Sequence, residues 1–218
     1  NAASKAGLSG FEWGIGIPGT IGGSIRGNAG CFGGEMRQVL EKVQVLEAKS
    51  QNAKLKTTTQ NSKIFELNNQ ECKFGYRDSI FKKHPEWIIL SAIFKLKKGD
   101  SKEIQKKIIE YTRHRSTAQD IGAKCAGCIF KNVSWDNIPN KKVFLKKLPE
   151  ARQFESKENI PAGFLIDQAG LKNARIGGAY ISPKHANYFV NDGTAKAGDI
   201  LKLISLAKKR IKQKYGIS

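Results

Sequence analysis

The chain contains no apolar run approaching the ~20 residues that a membrane-spanning helix requires. Its start, Asn1-Ala-Ala-Ser-Lys5, has neither the basic head nor the apolar stretch of a secretory signal. A cytoplasmic protein with no membrane association is therefore expected. The start also lacks an initiator methionine, so the sequence reads as a fragment or a processed chain. Its four cysteines, Cys31, Cys72, Cys125 and Cys128, are too few and too irregularly spaced for a disulfide scaffold. The three histidines show no metal-ligand spacing, and there is no internal repeat or low-complexity tract. Acidic residues are scarce as well: 19 of them face 38 lysines and arginines, which leaves a net charge of +19. Such a field attracts nucleic acid, anionic membranes or phosphorylated small molecules. Composition alone ranks nucleic acid first, but the lysines are spread along the chain instead of forming one arm. The densest group, Lys208, Lys209, Arg210, Lys212 and Lys214, falls on a helix with an apolar stripe, where a solvated face is the ordinary role.

A hydrophobic content of 39% supports a core, and 218 residues suffice for one large domain or two small ones. Residues 1–36 are rich in glycine and small side chains and read as tight turns. Val43 and Val45 mark a strand within 39–47. Residues 87–96 mark a stronger one, with Ile88, Leu90, Ala92, Phe94 and Leu96 on one face and Ser91 and Lys95 on the other. Asp100 and Glu103 resemble a capping box for a helix that turns Ile104, Ile108 and Tyr111 inward and ends near Arg115. A domain boundary is placed there, within a few residues. The lysine-rich stretch 133–159 reads as an insertion or long loop. Pro161 opens a short helix, 162–169, ended by Gly170. Strands are expected at 175–181 and 187–190. A last helix, 197–215, carries Ile200, Ile204, Ala207, Ile211 and Tyr215 as its buried stripe. The fold class is α+β in two units, 1–115 and 116–218.

Gly14-Ile-Gly16-Ile-Pro-Gly19 fits the dinucleotide pattern GxGxxG. Pro18, the glycines that follow and the absence of a clean preceding strand exclude the Rossmann version. What remains is a longer run: Gly16, Ile17, Pro18, Gly19, Thr20, Gly22, Gly23 and Ser24, then Asn28, Gly30, Gly33 and Gly34. It is either a set of structural turns or a backbone cradle for an anionic ligand, with Thr20 and Ser24 adding hydroxyl donors. Cys125-Ala-Gly-Cys128 matches CxxC, but its flanks do not supply the strand–helix context of a redox motif, and a zinc site would need two further ligands.

Four ordered blocks carry a family resemblance. The run GIPGTIGGSIRGNAGCFGGE resembles the segment that holds the FAD diphosphate in the UDP-N-acetylenolpyruvoylglucosamine reductases, the MurB family. Phe74-Gly-Tyr-Arg-Asp-Ser79 resembles the family's FGYRxS, and Ala126-Gly-Cys-Ile-Phe-Lys-Asn132 its AGSxFKN. Ile176-Gly-Gly-Ala179 with Lys184-His-Ala-Asn-Tyr-Phe-Val-Asn191 resembles its IGGA…KHANFIVN. The resemblance implies part of an FAD-binding domain of the vanillyl-alcohol-oxidase/PCMH flavoprotein type over 1–115, its second subdomain. A smaller α+β substrate-binding domain would follow over 116–218. It implies FAD as cofactor and NADPH as reductant. The partner would be a small molecule, UDP-N-acetylglucosamine enolpyruvate, and the protein a monomer that binds no nucleic acid, acting in peptidoglycan synthesis.

By the same resemblance Arg77 would lie beside the substrate carboxylate, a task suited to a fixed bidentate cation. Cys128 stands where the family has a proton-donating serine. Thiols titrate near ~8.5 and are largely protonated at neutral pH, so a cysteine can serve; the alternative is a small packed residue. Tyr76, Arg115, Lys131, Asn132, Lys184 and His185 fall at positions that would face the substrate, whereas the last, outside its KHAN context, is an ordinary histidine. Relatives have a GGGSN-like motif before this region and a glutamate just after it. The chain is thus expected to lack part of the flavin site and the extreme C-terminus, and to be inactive alone. A basic nucleic-acid-binding module without flavin is the competing reading.

Overall fold

The structure, a computed structural model, describes residues 2–48, 63–120 and 122–217. They fall into two units, Asn1–Arg115 and Ser116–Ser218, each with its own hydrophobic cluster. The first unit opens with a short helix, α1 (Ala2–Lys5), and a short strand, β1 (Leu8–Ser9). The glycine-rich run is more than turns. It contains a helix, α2 (Ile21–Arg26), and a tight hairpin of β2 (Gly30–Cys31) with β3 (Gly34–Glu35). An antiparallel sheet follows, with β4 (Leu40–Glu47) between β5 (Lys63–Asn68) and β6 (Trp87–Phe94). β7 (Lys97–Lys98) returns to pair with β1. α3 (Ser101–Ala118) begins as expected, with Asp100 Oδ1 accepting from the Lys102 and Glu103 amides at 2.9 and 3.0 Å. Ile104 is buried beneath it, and Ile108 and Tyr111 are half-buried.

The strand at 87–94 corrects one expectation. Val45 pairs with Ile89 while Gln44 pairs with Ser91, so Leu90 is an extra residue in β6. A bulge of this kind switches the face on which the following side chains lie. Ile89, Ala92 and Phe94 therefore pack on the core, whereas Ile88 and Leu90 are 50% and 46% exposed. A strict alternation read from Ile88 to Leu96 runs straight through a register shift that it cannot see.

The second unit begins with β8 (Lys124–Cys128) and β9 (Val133–Ser134), followed by α4 (Lys141–Lys147) and β10 (Asn159–Ile160). Then come α5 (Ala162–Gln168), β11 (Arg175–Ile176), β12 (Ala179–Ile181), β13 (Tyr188–Asn191) and α6 (Ala197–Tyr215). Its sheet is antiparallel in the order β11-β12-β13-β8. α6 packs on β11 and β12, with α4 and α5 against its flanks. Leu203 joins Ala207 and Tyr215 as a fully buried residue of α6, so its stripe is wider than the one read from period alone.

Residues 133–159 are not a loop. Phe144, Leu145, Leu148 and Ala151 are buried at 1%, 6%, 3% and 0% exposure, with Lys141, Lys142, Lys146 and Lys147 on the outer side. Their spacing is a helix-compatible stripe, masked in composition by the lysines between them. Asn140 caps α4, its Oδ1 accepting from the Val143 amide at 3.0 Å. Asn140→Ala is expected to destabilise this unit by ~1 kcal/mol, a drop in melting temperature of roughly 2–4 °C for a chain of this size. An unchanged melting curve would mean that the Asn140 cap adds nothing to stability. The single strand expected at 175–181 is also corrected: it is a hairpin turning at Gly177-Gly178. Gly177 has φ +55°, and a Cβ there would lie 2.5 Å from Asp199 Oδ2.

Candidate functional site

The glycine run borders a cavity of about 630 Å³ in the first unit. Gly14, Gly16, Ile17, Gly19, Thr20 and Ser24 line one side, and Phe11, Trp13, Leu96 and Ile108 give it an apolar remainder. Thr20 is the N-cap of α2, its Oγ1 accepting from the Gly23 amide at 3.1 Å. The first amides of a helix have no intrahelical acceptor. With Gly23 satisfied by Thr20, those of Ile21 and Gly22 are left as donors. Gly16 has φ +73°, and a Cβ there would come 3.2 Å from Arg115 Cδ. The arginine thus lies along the loop backbone, with its guanidinium carbon 5.3 Å from the centre of the Phe32 ring.

Five other residues assigned to the same ligand hold different positions. Pro18 is outside the cavity lining, Gly22 packs toward Ile89, and Gly23 is turned to the Thr20 hydroxyl. Gly30 sits in the β2–β3 hairpin, where a Cβ would come 2.6 Å from the Gly34 carbonyl oxygen. Asn28 is a correction. Its side chain is fully buried and committed inside the protein, with Nδ2 donating to Glu35 Oε2 and to the Gly75 carbonyl and Oδ1 accepting from the Arg37 amide. Its side chain shapes the loop and is not part of the cavity lining.

The FGYR block is a tight turn in which Gly75 and Asp78 exchange both backbone hydrogen bonds, at 3.0 and 3.1 Å. Tyr76 and Arg77 occupy its tip, and Tyr76 is 41% exposed. Arg77 has φ +53°, a left-handed conformation unfavourable for a long side chain and characteristic of functional sites. Its guanidinium reaches back across 47 residues of sequence, Nη2 donating to the Gly30 carbonyl at 2.5 Å and Nη1 to that of Asn28 at 3.3 Å. Two of the recognised blocks are joined by this one side chain. Ser79 and Arg26 reinforce the join: Ser79 Oγ donates to the Arg26 carbonyl at 2.7 Å, and Arg26 donates to that of Phe81.

In the second unit, Cys128 ends β8 and is exposed. Tyr188 pairs with Cys128 but Val190 with Cys125, so Ala126 and Gly127 together face Phe189. Gly127 has φ +81° at this bulge, the left-handed geometry that only glycine adopts freely. The bulge decides which way the Cys128 side chain leaves the sheet. Gly127→Ala is therefore expected to cost ~1–2 kcal/mol in stability and to reduce any activity that depends on Cys128 more than Ala126→Ser does. Equal activity in the two variants would detach Gly127 from the placement of Cys128. Cys72, by contrast, is buried in the first unit, and burial pushes its thiol up to about 11.

The KHAN segment is held from within. Ser182, itself buried, donates to Asp120 and accepts from the Lys184 and His185 amides at 3.0 Å each. Lys184 Nζ lies 3.9 Å from Asp120 Oδ1. The His185 ring leans on Tyr188 at 4.4 Å, and burial holds its pKa below the ordinary value. Asn187 brackets Phe130, donating to its carbonyl and accepting from its amide, both at 2.9 Å. Asn132 Oδ1 accepts from the Ala162 amide at 3.1 Å, and exposed Lys131 precedes it. Sequence reasoning missed Glu35, Asp120, Ser182 and Asn187. Asn187 and Glu35 had a signal, their places inside the KHAN block and at the end of the glycine-run block.

Residues 119–218 match the family described as UDP-N-acetylenolpyruvoylglucosamine reductase, C-terminal domain. Curated proteins named UDP-N-acetylenolpyruvoylglucosamine reductase match at 38% identity over 217 residues in Caldanaerobacter subterraneus and over 215 residues in Anoxybacillus flavithermus. They take in 100% and 99% of this chain and 60% and 59% of their own length. The crystal structure of UDP-N-acetylenolpyruvylglucosamine reductase (MurB) from Thermus caldophilus superposes with a TM-score of 0.69 at 33% identity. It covers all of this chain and 65% of that one. The similarity to the UDP-N-acetylenolpyruvoylglucosamine reductases runs over the whole chain, which spans about 60% of the length of the curated relatives it matches. This leaves the nucleic-acid reading of the +19 charge without support. Among the described residues, no helix is long and apolar enough to cross a membrane, and no cluster of His, Cys, Asp or Glu is set to hold a metal.

Proposed function

We propose that the full-length protein containing this chain reduces UDP-N-acetylglucosamine enolpyruvate to UDP-N-acetylmuramate, using FAD and NADPH, in cytoplasmic peptidoglycan synthesis. The first unit contributes the second subdomain of the flavin site and the second unit the substrate domain. The observation that carries this reading is Arg77, a non-glycine residue held in a left-handed turn with its guanidinium on the carbonyls of the glycine run. Such conformations are uncommon outside glycine and cluster at active sites and ligand clamps.

The residues fit a flavin dinucleotide. The cavity lies within the 300–1,000 Å³ typical of cofactor sites. Its apolar part suits a fused aromatic ring, and the Ile21 amide with the Thr20 hydroxyl suits phosphate oxygens. When bound, FAD supplies hydride transfer from NADPH to the enolpyruvyl methylene carbon, chemistry that no side chain here performs. The chain's own residues supply the rest. Arg77 holds the substrate carboxylate and stabilises the negative charge that develops beside it. Cys128 gives its proton to the carbon next to that carboxylate, which completes the saturated lactyl ether. Tyr76, Arg115, Lys131, Asn132, Lys184 and His185 position the sugar nucleotide, the cations among them against its diphosphate.

The test is spectroscopic. Purified full-length protein should be yellow, bleach on adding NADPH and recover its flavin absorbance on adding the enolpyruvyl substrate. A colourless protein, or one that fails to recover, would overturn this reading.

A further inference from the structure

We propose that Asn28 is a positioning residue for Arg77, acting through the Gly75–Asp78 turn; the effect on catalysis rests on the function proposed above. Asn28 touches the arginine at both ends. Its side-chain Nδ2 donates to the Gly75 carbonyl at 2.9 Å, fixing the first residue of the turn that carries Arg77. Its own carbonyl accepts from Arg77 Nη1 at 3.3 Å, fixing the tip of the side chain. One residue therefore sets both where the Arg77 backbone starts and where its guanidinium stops.

Asn28 is itself clamped. Glu35 Oε2 accepts its second Nδ2 bond at 3.0 Å, and the Arg37 amide donates to its Oδ1 at 3.0 Å. The residue is fully buried at φ +41°, a conformation asparagine tolerates better than most. Only a side-chain amide meets these demands, because it offers donors and an acceptor from one planar head. Aspartate keeps the acceptor for Arg37 but loses both donors, and it turns a carboxylate toward that of Glu35. Alanine loses all three bonds. No contact of the Asn28 side chain reaches the cavity, so its effect must travel through Arg77 and not through direct binding.

The experiment uses the full-length protein in its flavin-loaded form. Asn28→Ala and Asn28→Asp should slow reoxidation of reduced flavin by the enolpyruvyl substrate at least ~10-fold while leaving reduction by NADPH and flavin content largely intact; a 10-fold loss is a modest misplacement effect. Combined with Arg77→Lys, Asn28→Ala should add little further loss, since the two act through one group. Additive losses or equal damage to both half-reactions would overturn the proposal. Amide hydrogen exchange at Gly75 and Asp78 gives a readout independent of activity. It should accelerate in Asn28→Ala even if the protein proves to reduce a different substrate. Unchanged exchange there refutes the positioning role, whereas failure of the wild type to be reoxidised refutes only the proposed function.

Discussion

Cys128→Ala, made in the full-length protein, is expected to slow reoxidation of flavin by the enolpyruvyl substrate by ~10²–10⁴-fold, the range for losing a positioned general acid. Reduction by NADPH should be nearly unaffected. The asymmetry follows from where each half-reaction needs a proton donor. Hydride arriving at the methylene carbon leaves the adjacent carbon electron-rich, and that carbon must be protonated before product can leave. On the proposed reading the donor is Cys128, exposed at the end of β8 and aimed by the Gly127 bulge. NADPH oxidation makes no such demand on it. Stopped-flow absorbance, with each half-reaction run separately, measures the two rates. Cys128→Ser should recover most of the rate, because a hydroxyl at the same position still donates, although it is the weaker acid. Equal losses in both half-reactions would assign Cys128 a packing role. A serine variant no better than alanine would sink the donor assignment even if alanine were slow.

Much of the architecture was legible because long periodic segments carry strong signals. α6 spans 197–215 in both the reading and the structure, since its apolar period holds over five turns. The cap of α3 at Asp100 was visible for the same local reason. Errors arose where a single residue changes the phase. Leu90 inserts into β6 and reverses the faces read for Ile88 and Leu90. Two glycines fold the 175–181 strand into a hairpin. In 133–159 the lysines dilute a stripe whose four apolar members are all buried. The candidate site divides similarly. Motif blocks locate Arg77, Cys128 and the glycine run along the chain. Whether a given side chain faces outward is a property of the fold: Asn28 sits in the middle of a recognisable block, yet it points inward. The Arg77 conformation is equally hidden, because nothing in Phe74-Gly-Tyr-Arg announces a positive φ at its arginine.

Arg77 supports the second large prediction, in which stability and activity part company. Arg77→Lys should lower the rate of reoxidation by substrate ~10²–10³-fold, the usual loss on removing a preorganised donor to developing charge. The guanidinium has five N–H donors; two are spent on the Asn28 and Gly30 carbonyls, which leaves others for a carboxylate. A lysine ammonium is a single point charge and cannot hold two backbone oxygens while presenting a planar fork to substrate. Arg77→Ala and Arg77→Gly should be slower still and equally slow, because both lack the cation altogether. Their stabilities should differ. Alanine keeps the cost of φ +53°, whereas glycine occupies that region freely, so Arg77→Gly should be more stable than Arg77→Ala by ~1 kcal/mol. Thermal unfolding of the two variants measures that gap. If glycine gives no advantage, the left-handed conformation is not strained, and the argument that a functional demand sustains it fails. If glycine is the more stable and as inactive as alanine, the fold accepts a local penalty at this position in order to hold a guanidinium where charge develops.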